Sequence, residues 1–209
     1  AAAGVRMIRL NMPGFAGSSS VQRAGDWDAL VEVVAEAAST LADRPFVLLG
    51  HSFGGLVALR AAARSRLCKG LALLAPAGLR AHAAVRKLPP RLALKATNAT
   101  RVSREVFFRA MARTPIGAHA SREDSNTTLA LLSTLDYGPS LAAARSLKVP
   151  VFCASCLDDR MVEPAIVEEL LASLNTRQHL TFERGGHAPQ KDHAAEIGAA
   201  LVQFVNGLG

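Results

Sequence analysis

The chain is predicted to fold as an α/β protein, with a mostly parallel sheet flanked by helices. Three observations carry that prediction. Apolar strand-like runs alternate with one-faced helical stretches, and such alternation implies parallel strands joined by crossover helices. The 209 residues are 50% hydrophobic, which lets the chain bury a full core as one domain, and only 5% are aromatic, so Ala and Leu carry its volume. A glycine–serine turn, Gly50-His51-Ser52-Phe53-Gly54-Gly55, joins the apolar run Phe46-Val47-Leu48-Leu49 to a helix rich in Leu and Ala.

Taken in order, Val5 to Leu10 reads as a short strand, ended by the turn Asn11-Met12-Pro13-Gly14. A loop with Gly17 and Ser18 to Ser20 follows. From Asp26, a predicted N-cap, to Leu41, apolar residues recur at Trp27, Leu30, Val31, Val34, Ala38 and Leu41, which predicts a one-faced helix. The strand at 46–50 then passes through the turn into a helix from Phe53 to about Arg64. Leu71 to Leu74 is a buried strand closed by Pro76 and Gly78. Between 79 and 148 the strand signal vanishes. Pro89-Pro90, Pro115 and Pro139 punctuate helical stretches there, such as Arg104 to Met111 and Asn126 to Leu135. Strands resume at 149–154, and a helix opening near Pro164 sets Ile166, Val167, Leu170, Leu171 and Leu174 on one face. The strand His179 to Phe182 leads into Gly185-Gly186-His187, and a closing helix presents Ile197, Leu201, Phe204 and Val205. The expected organisation is a first part of the core at 1–78, a helical cap or lid insertion at 79–148, and a second part of the core at 149–209.

Composition narrows the setting. No run of 18 or more apolar residues occurs, so no membrane span is expected. Three cysteines, Cys68, Cys153 and Cys156, do not make a secreted disulfide framework, which points to a reducing intracellular compartment, cytoplasmic or mitochondrial. The lone Cys153-x-x-Cys156 reads as buried thiols, and neither a metal nor an organic cofactor is expected. The net charge of +7 is unevenly placed: +3 over residues 1–79, +8 over 80–148 and −4 over 149–209. The basic segment would attract an anionic substrate, an acidic lipid surface or nucleic acid; a solvated Arg-rich helical face is the simpler reading.

A serine hydroxyl is a weak nucleophile at neutral pH and needs a base within reach and a group that orients the base. A G-x-S-x-G turn between strand and helix reads as a nucleophile elbow, whose partners follow in the order Ser, Asp or Glu, His. Gly50 and Gly54 are expected to remove side chains that would clash, leaving Ser52 exposed at a helix N-terminus. The strand at 149–154 is followed by Asp158 and Asp159, and the last strand by His187, both on loops past strand ends, where open parallel sheets place their sites. Asp159 is preferred because Asp159-x-x-Val162 lets the valine pack beneath the loop; Asp158 then reads as a solvated neighbour. Of six histidines, His187 alone stands in a glycine-flanked loop after a strand. His51 is expected to point away from the site, and His82, His119, His179 and His193 to lie at the surface.

The segments Asn11-Met12-Pro13-Gly14-Phe15, Gly50 to Gly55, Val149-Pro150-Val151 with Asp159-x-x-Val162, and Gly185-Gly186-His187-Ala188-Pro189 together resemble the α/β-hydrolase superfamily over essentially the whole chain. The resemblance implies an α/β-hydrolase fold with a helical cap at 79–148, as in its esterase, haloperoxidase and C–C-bond hydrolase branches. Branches with an aspartate nucleophile do not fit Ser52. It implies Ser52 as nucleophile, His187 as base, Asp159 as the acid that orients it, and the Phe53 N–H as one oxyanion donor. Asn11 and Ala16 depart from the pattern, which often has Asp and Gly there. The strand at 5–10 resembles the family's fourth. The family's preceding strand lies between its fourth and fifth and carries a His-Gly motif that supplies half of the oxyanion hole. No such strand precedes Val5, so the chain is expected to be an incomplete record or to receive that strand from a separate segment or chain.

The expected activity is that of a serine hydrolase on an ester or related acyl substrate, with acyl transfer using the same residues. Phe107, Phe108 and Met111 read as the lining of an apolar pocket or as plain cap core. The alternative is a non-catalytic assembly subunit that docks its basic cap on RNA or another acidic partner in a ribonucleoprotein or organellar complex.

Overall fold

A computed structural model describes residues 4–21, 25–114, 118 and 120–208. In chain order its elements are α1 (Trp27–Ala42), β1 (Phe46–His51), α2 (Phe53–Ala62), β2 (Cys68–Leu74), α3 (Ala83–Arg86), α4 (Arg91–Ala99), α5 (Arg101–Met111), α6 (Arg122–Thr134), α7 (Gly138–Ser146), β3 (Val151–Cys156), α8 (Pro164–Ala172), β4 (Thr176–Phe182), α9 (Pro189–Asp192) and α10 (Ala194–Asn206). The residues divide into two compact units, 1–8 with 34–87 and 137–209, and 9–33 with 88–136. The insertion expected over 79–148 thus gives residues 88–136 to the second unit, while α3 and α7 belong to the first.

The first unit is built on a four-stranded sheet in the order β1-β2-β3-β4, every pairing parallel. Parallel strands joined by helices are covered on both faces, so they read as continuous apolar runs. β3 is buried along its whole length, and β2 everywhere except Lys69. Ala72, Leu74, Phe152 and Ala154 pack with Ile197, Ala200 and Phe204 of α10. In α2 every residue from Gly55 to Ala62 is buried, and α7 packs against it. Asp26 is the N-cap of α1 as expected: its Oδ1 accepts from the Ala29 N–H at 3.0 Å.

The strand expected at 5–10 does not form. These residues pair with no strand among those described, and Met7 is 82% exposed. A strand exists through its ladder of hydrogen bonds, and an alternating sequence cannot report whether a partner lies alongside. β1 is an edge of the described sheet.

The second unit is helical, with α4, α5 and α6 packed on one another. Residues 9–33 join it through α6. The Ala16 N–H donates to Asp124 Oδ1 at 2.8 Å, the Thr127 hydroxyl to the Gly14 carbonyl at 3.0 Å, and the Trp27 indole to the Leu131 carbonyl at 3.1 Å. Asp124 also closes a capping box with Ser121 at the start of α6. No helix among the described residues is long and apolar enough to cross a membrane.

Candidate active site

Ser52 follows β1 directly and stands at φ +52°, ψ −122°, a sparsely populated conformation for a residue with a side chain. Holding it costs about 1–3 kcal/mol, which the surroundings must offset. They do so with backbone bonds. The Ser52 N–H donates to the Leu74 carbonyl at 2.9 Å, and the Ser52 carbonyl accepts from Gly55 and Ala77 at 2.9 and 3.2 Å. Glycine is obligatory at 50, because a Cβ there would collide with the Gly54 carbonyl and the Gly55 Cα. The expectation for Gly54 is corrected: a Cβ on it would meet open space. What matters at 54 is how closely its backbone passes Gly50.

The structure brings Ser52, His187 and Asp159 together. The distance from Ser52 Oγ to His187 Nε2 is 2.6 Å, and from His187 Nδ1 to Asp159 Oδ2 it is 2.8 Å. A carboxylate only accepts, so Nδ1 carries the proton, and Nε2 accepts from the serine hydroxyl. Asp159 has its side chain 3% exposed and that of His187 is 16% exposed. Asp159 Oδ1 accepts from the N–H groups of Met161 and Val162 at 2.8 and 3.1 Å, and Val162 is fully buried beneath the turn. Burial pushes the Asp159 carboxyl up, but the bonds from His187, Val162 and Met161 outweigh it and hold it below the ordinary carboxylate value. The carboxylate therefore stays ionised beside His187.

Phe53 is the first residue of α2, directly after Ser52. The same end carries the positive pole of the helix dipole, suited to a developing oxyanion.

Several neighbours have roles that the sequence reading missed. Asp158 is not merely solvated; its Oδ1 accepts from the Gly186 N–H at 2.8 Å, anchoring the loop that carries His187. His51 turns toward the site, with Nε2 2.7 Å from the His187 carbonyl. His82 is 8% exposed, and its Nδ1 lies 2.9 Å from the Met161 carbonyl, behind the Asp159 turn. Burial lowers the pKa of both. His179 pairs with the buried Ser155 at 2.8 Å, and His193 stacks on Phe182 with ring centroids 3.8 Å apart. His119 and Pro115 lie outside the described residues. No spacing rule distinguishes these ring contacts; they arise from loops that meet only in the fold. All three cysteines are buried. Burial pushes the Cys153 thiol up to about 12 and, with the Asp158 and Asp159 charges, Cys156 to about 11, so neither is a nucleophile at neutral pH.

In the helical unit, Phe108 lines a hollow of about 40 Å³ whose other walls are Arg101, Arg104, Glu105, Arg122 and Asn126. The Arg122 guanidinium lies 4.7 Å from the Phe108 ring centroid. This hollow is polar and admits little more than water, so Phe108 does not line an apolar pocket there.

A serine on a strand-to-helix turn, with an acid and a histidine on loops after later strands of one parallel sheet, is the arrangement of the α/β-hydrolase class. The Alpha/beta hydrolase family model matches residues 1–200. The chain belongs to that family. It is 31% identical over 191 residues to a pimeloyl-[acyl-carrier protein] methyl ester esterase of Stenotrophomonas maltophilia, covering 78% of this chain and 70% of that protein. The enzyme of the same description from Xanthomonas oryzae is 32% identical over 195 residues, covering 85% and 76%. Among solved structures, an esterase from Exiguobacterium antarcticum superposes with a TM-score of 0.68 at 16% identity over 94% of this chain and 80% of that one, a likeness of fold.

Proposed function

We propose that the chain is a serine carboxylester hydrolase in which Ser52 is the nucleophile, His187 the general acid–base and Asp159 the residue that orients His187. The observation that carries the reading is the unbroken relay from Ser52 Oγ through His187 to Asp159 Oδ2, with links of 2.6 and 2.8 Å. A purely structural subunit has no use for a strained serine at the head of such a relay. In the first half-reaction Ser52 Oγ attacks the ester carbonyl while His187 Nε2 takes its proton. The oxyanion is met by the Phe53 N–H, and the tetrahedral intermediate collapses as His187 returns the proton to the departing alcohol. Water then attacks the acyl-enzyme with His187 again as base, releasing the acid and restoring Ser52. Acyl transfer would substitute another acceptor for that water.

The substrate class we propose is a small alkyl ester on an acyl chain, with the acyl group borne by a carrier protein. Identity of 31–32% to two enzymes named for that reaction supports it. The +8 charge of residues 80–148 suits a carrier of net negative charge. The test is labelling by a fluorophosphonate probe beside a Ser52→Ala variant, followed by hydrolysis of free and carrier-borne methyl esters across a salt series. Ser52-dependent labelling, with a preference for the carrier-borne ester that fades as salt rises, is the expected result. Labelling that ignores Ser52 would overturn the enzyme reading. A salt-independent rate would remove the charged partner.

A further inference from the structure

His187 sits on a weakly determined stretch of backbone. Gly185 and Gly186 before it have φ +131° and +57°, conformations open to glycine, so the chain itself does little to fix where the imidazole stands. Asp159 orients the ring, and two further contacts hold the backbone that carries it. Asp158 Oδ1 holds the Gly186 N–H, and His51 Nε2 meets the His187 carbonyl at 2.7 Å. A carbonyl only accepts, so His51 Nε2 is the donor and carries a proton. His51 is the last residue of β1 and is bonded covalently to Ser52. Its side chain therefore ties the backbone of the base to the strand that presents the nucleophile.

We infer that His51 is a positioning residue, a strut that sets the separation of His187 Nε2 and Ser52 Oγ by gripping the His187 carbonyl from the residue next to the serine. The inference rests on the proposed roles of Ser52 and His187. The two rings stand 5.1 Å apart, centroid to centroid, tilted by 49°. An imidazolium forms on His187 as Ser52 attacks, and a second cation at that distance would oppose it. Burial keeps His51 neutral by lowering its pKa; the nearby His187 and Lys191 act in the same direction, against the bond to the His187 carbonyl and the pull of Asp159. The strut is thus a neutral donor, which an aliphatic or shorter side chain cannot replace.

The test compares two amides that differ in reach. In His51→Gln the amide nitrogen extends about as far as Nε2; in His51→Asn it stops near Nδ1. Both variants are read by the low-field proton resonance of His187 Nδ1, which needs no turnover, and by kcat and KM on a chromogenic ester. H51Q keeps the resonance and a kcat within about threefold of the parent. H51N broadens or loses the resonance and drops kcat by about 10- to 100-fold with KM nearly unmoved, the size expected when a base is displaced by a fraction of an ångström. An H51N protein with the parent's resonance and kcat overturns the strut, and so does an H51Q protein as impaired as H51N. If H51N does not fold, H51Q decides alone: near-parent behaviour supports the strut and a tenfold loss refutes it. Absence of Ser52-dependent labelling in the parent would overturn the hydrolase reading separately, and the His187 resonance would still decide the role of His51.

Discussion

In the sheet unit, the Asp159 side chain is 3% exposed and gives both oxygens to directed hydrogen bonds, from His187 and from two backbone amides. In the helical unit, Glu105 lies between Arg109 and Arg122, whose side chains are 71% and 66% exposed. Both carboxylates have lowered pKa values. Bonds from Arg122 and Arg109 bring Glu105 to about 2, while His187 and the turn amides hold Asp159 down against its burial. The same direction of shift has different consequences. Exposed ion pairs are screened and contribute little, whereas a buried carboxylate with both oxygens engaged sets the geometry and tautomer of its partner. A perturbed pKa marks a site only when burial and directed bonds accompany it.

The sharpest way to break this contrast is Asp159→Asn. It keeps the shape but offers His187 an amide, and loss of the correct tautomer is expected to lower kcat by about 10⁴-fold in steady-state ester hydrolysis. A loss under tenfold would deny the buried carboxylate its role. Next in size is the elbow itself. Gly50→Ala should cost about 1–3 kcal/mol in chemical denaturation, since the new Cβ meets the Gly54 and Gly55 backbone. Gly54→Ala, facing open space within α2, should instead gain about 0.5–1 kcal/mol from helix propensity. Equal effects would mean that the close approach is not what demands glycine.

A subtler effect is expected from pH. His51, His82 and His179 have pKa values lowered by burial, so as the pH falls the unfolded chain takes up their protons first. Their contribution is therefore fully present above about pH 6.5 and is lost as pH drops through the folded values, by at most about 1.4 kcal/mol per pH unit for each group. Depressed Asp159, which is buried, adds a second loss below about pH 4. Urea midpoints at pH 7.5, 6 and 5 should fall monotonically, and His82→Gln should flatten the first part of the curve. A flat parent curve would contradict burial of these rings. The smallest effect is at Glu105→Gln, which should leave the thermal midpoint where it was. A marked drop there would erase the distinction between the two units.

Much of this was legible because chemistry and period coincide. The apolar runs at 46–49 and 71–74 became β1 and β2, extended by a few residues where a parallel partner was at hand, and the run at 149–154 became β3, shifted two residues onward to Val151–Cys156. The order Ser52, Asp159, His187 and the spacing Asp159-x-x-Val162 led to the relay, since each lies just past a strand end and the strands run in one direction. Other features were illegible for a common reason. Val5 to Leu10 has a strand's pattern, but a strand is completed by a neighbour, and none pairs with it among the described residues. Residues 9–33 read as part of the core, yet Gly14, Ala16 and Trp27 bond to α6 across about a hundred residues of chain.

By itself, then, the sequence picked out the three residues that the fold brings together: a serine whose flanking glycine leaves room for the turn, an acid ahead of a valine that seats its loop, and a histidine between glycines and a proline. Those are local properties of composition and spacing. The tertiary structure alone decided what holds them still. Asp158 on the Gly186 amide, His51 on the His187 carbonyl and His82 on the Met161 carbonyl are contacts between segments far apart in the chain. Each joins a side chain to a backbone atom that every residue possesses, so no pattern of side chains could have announced it.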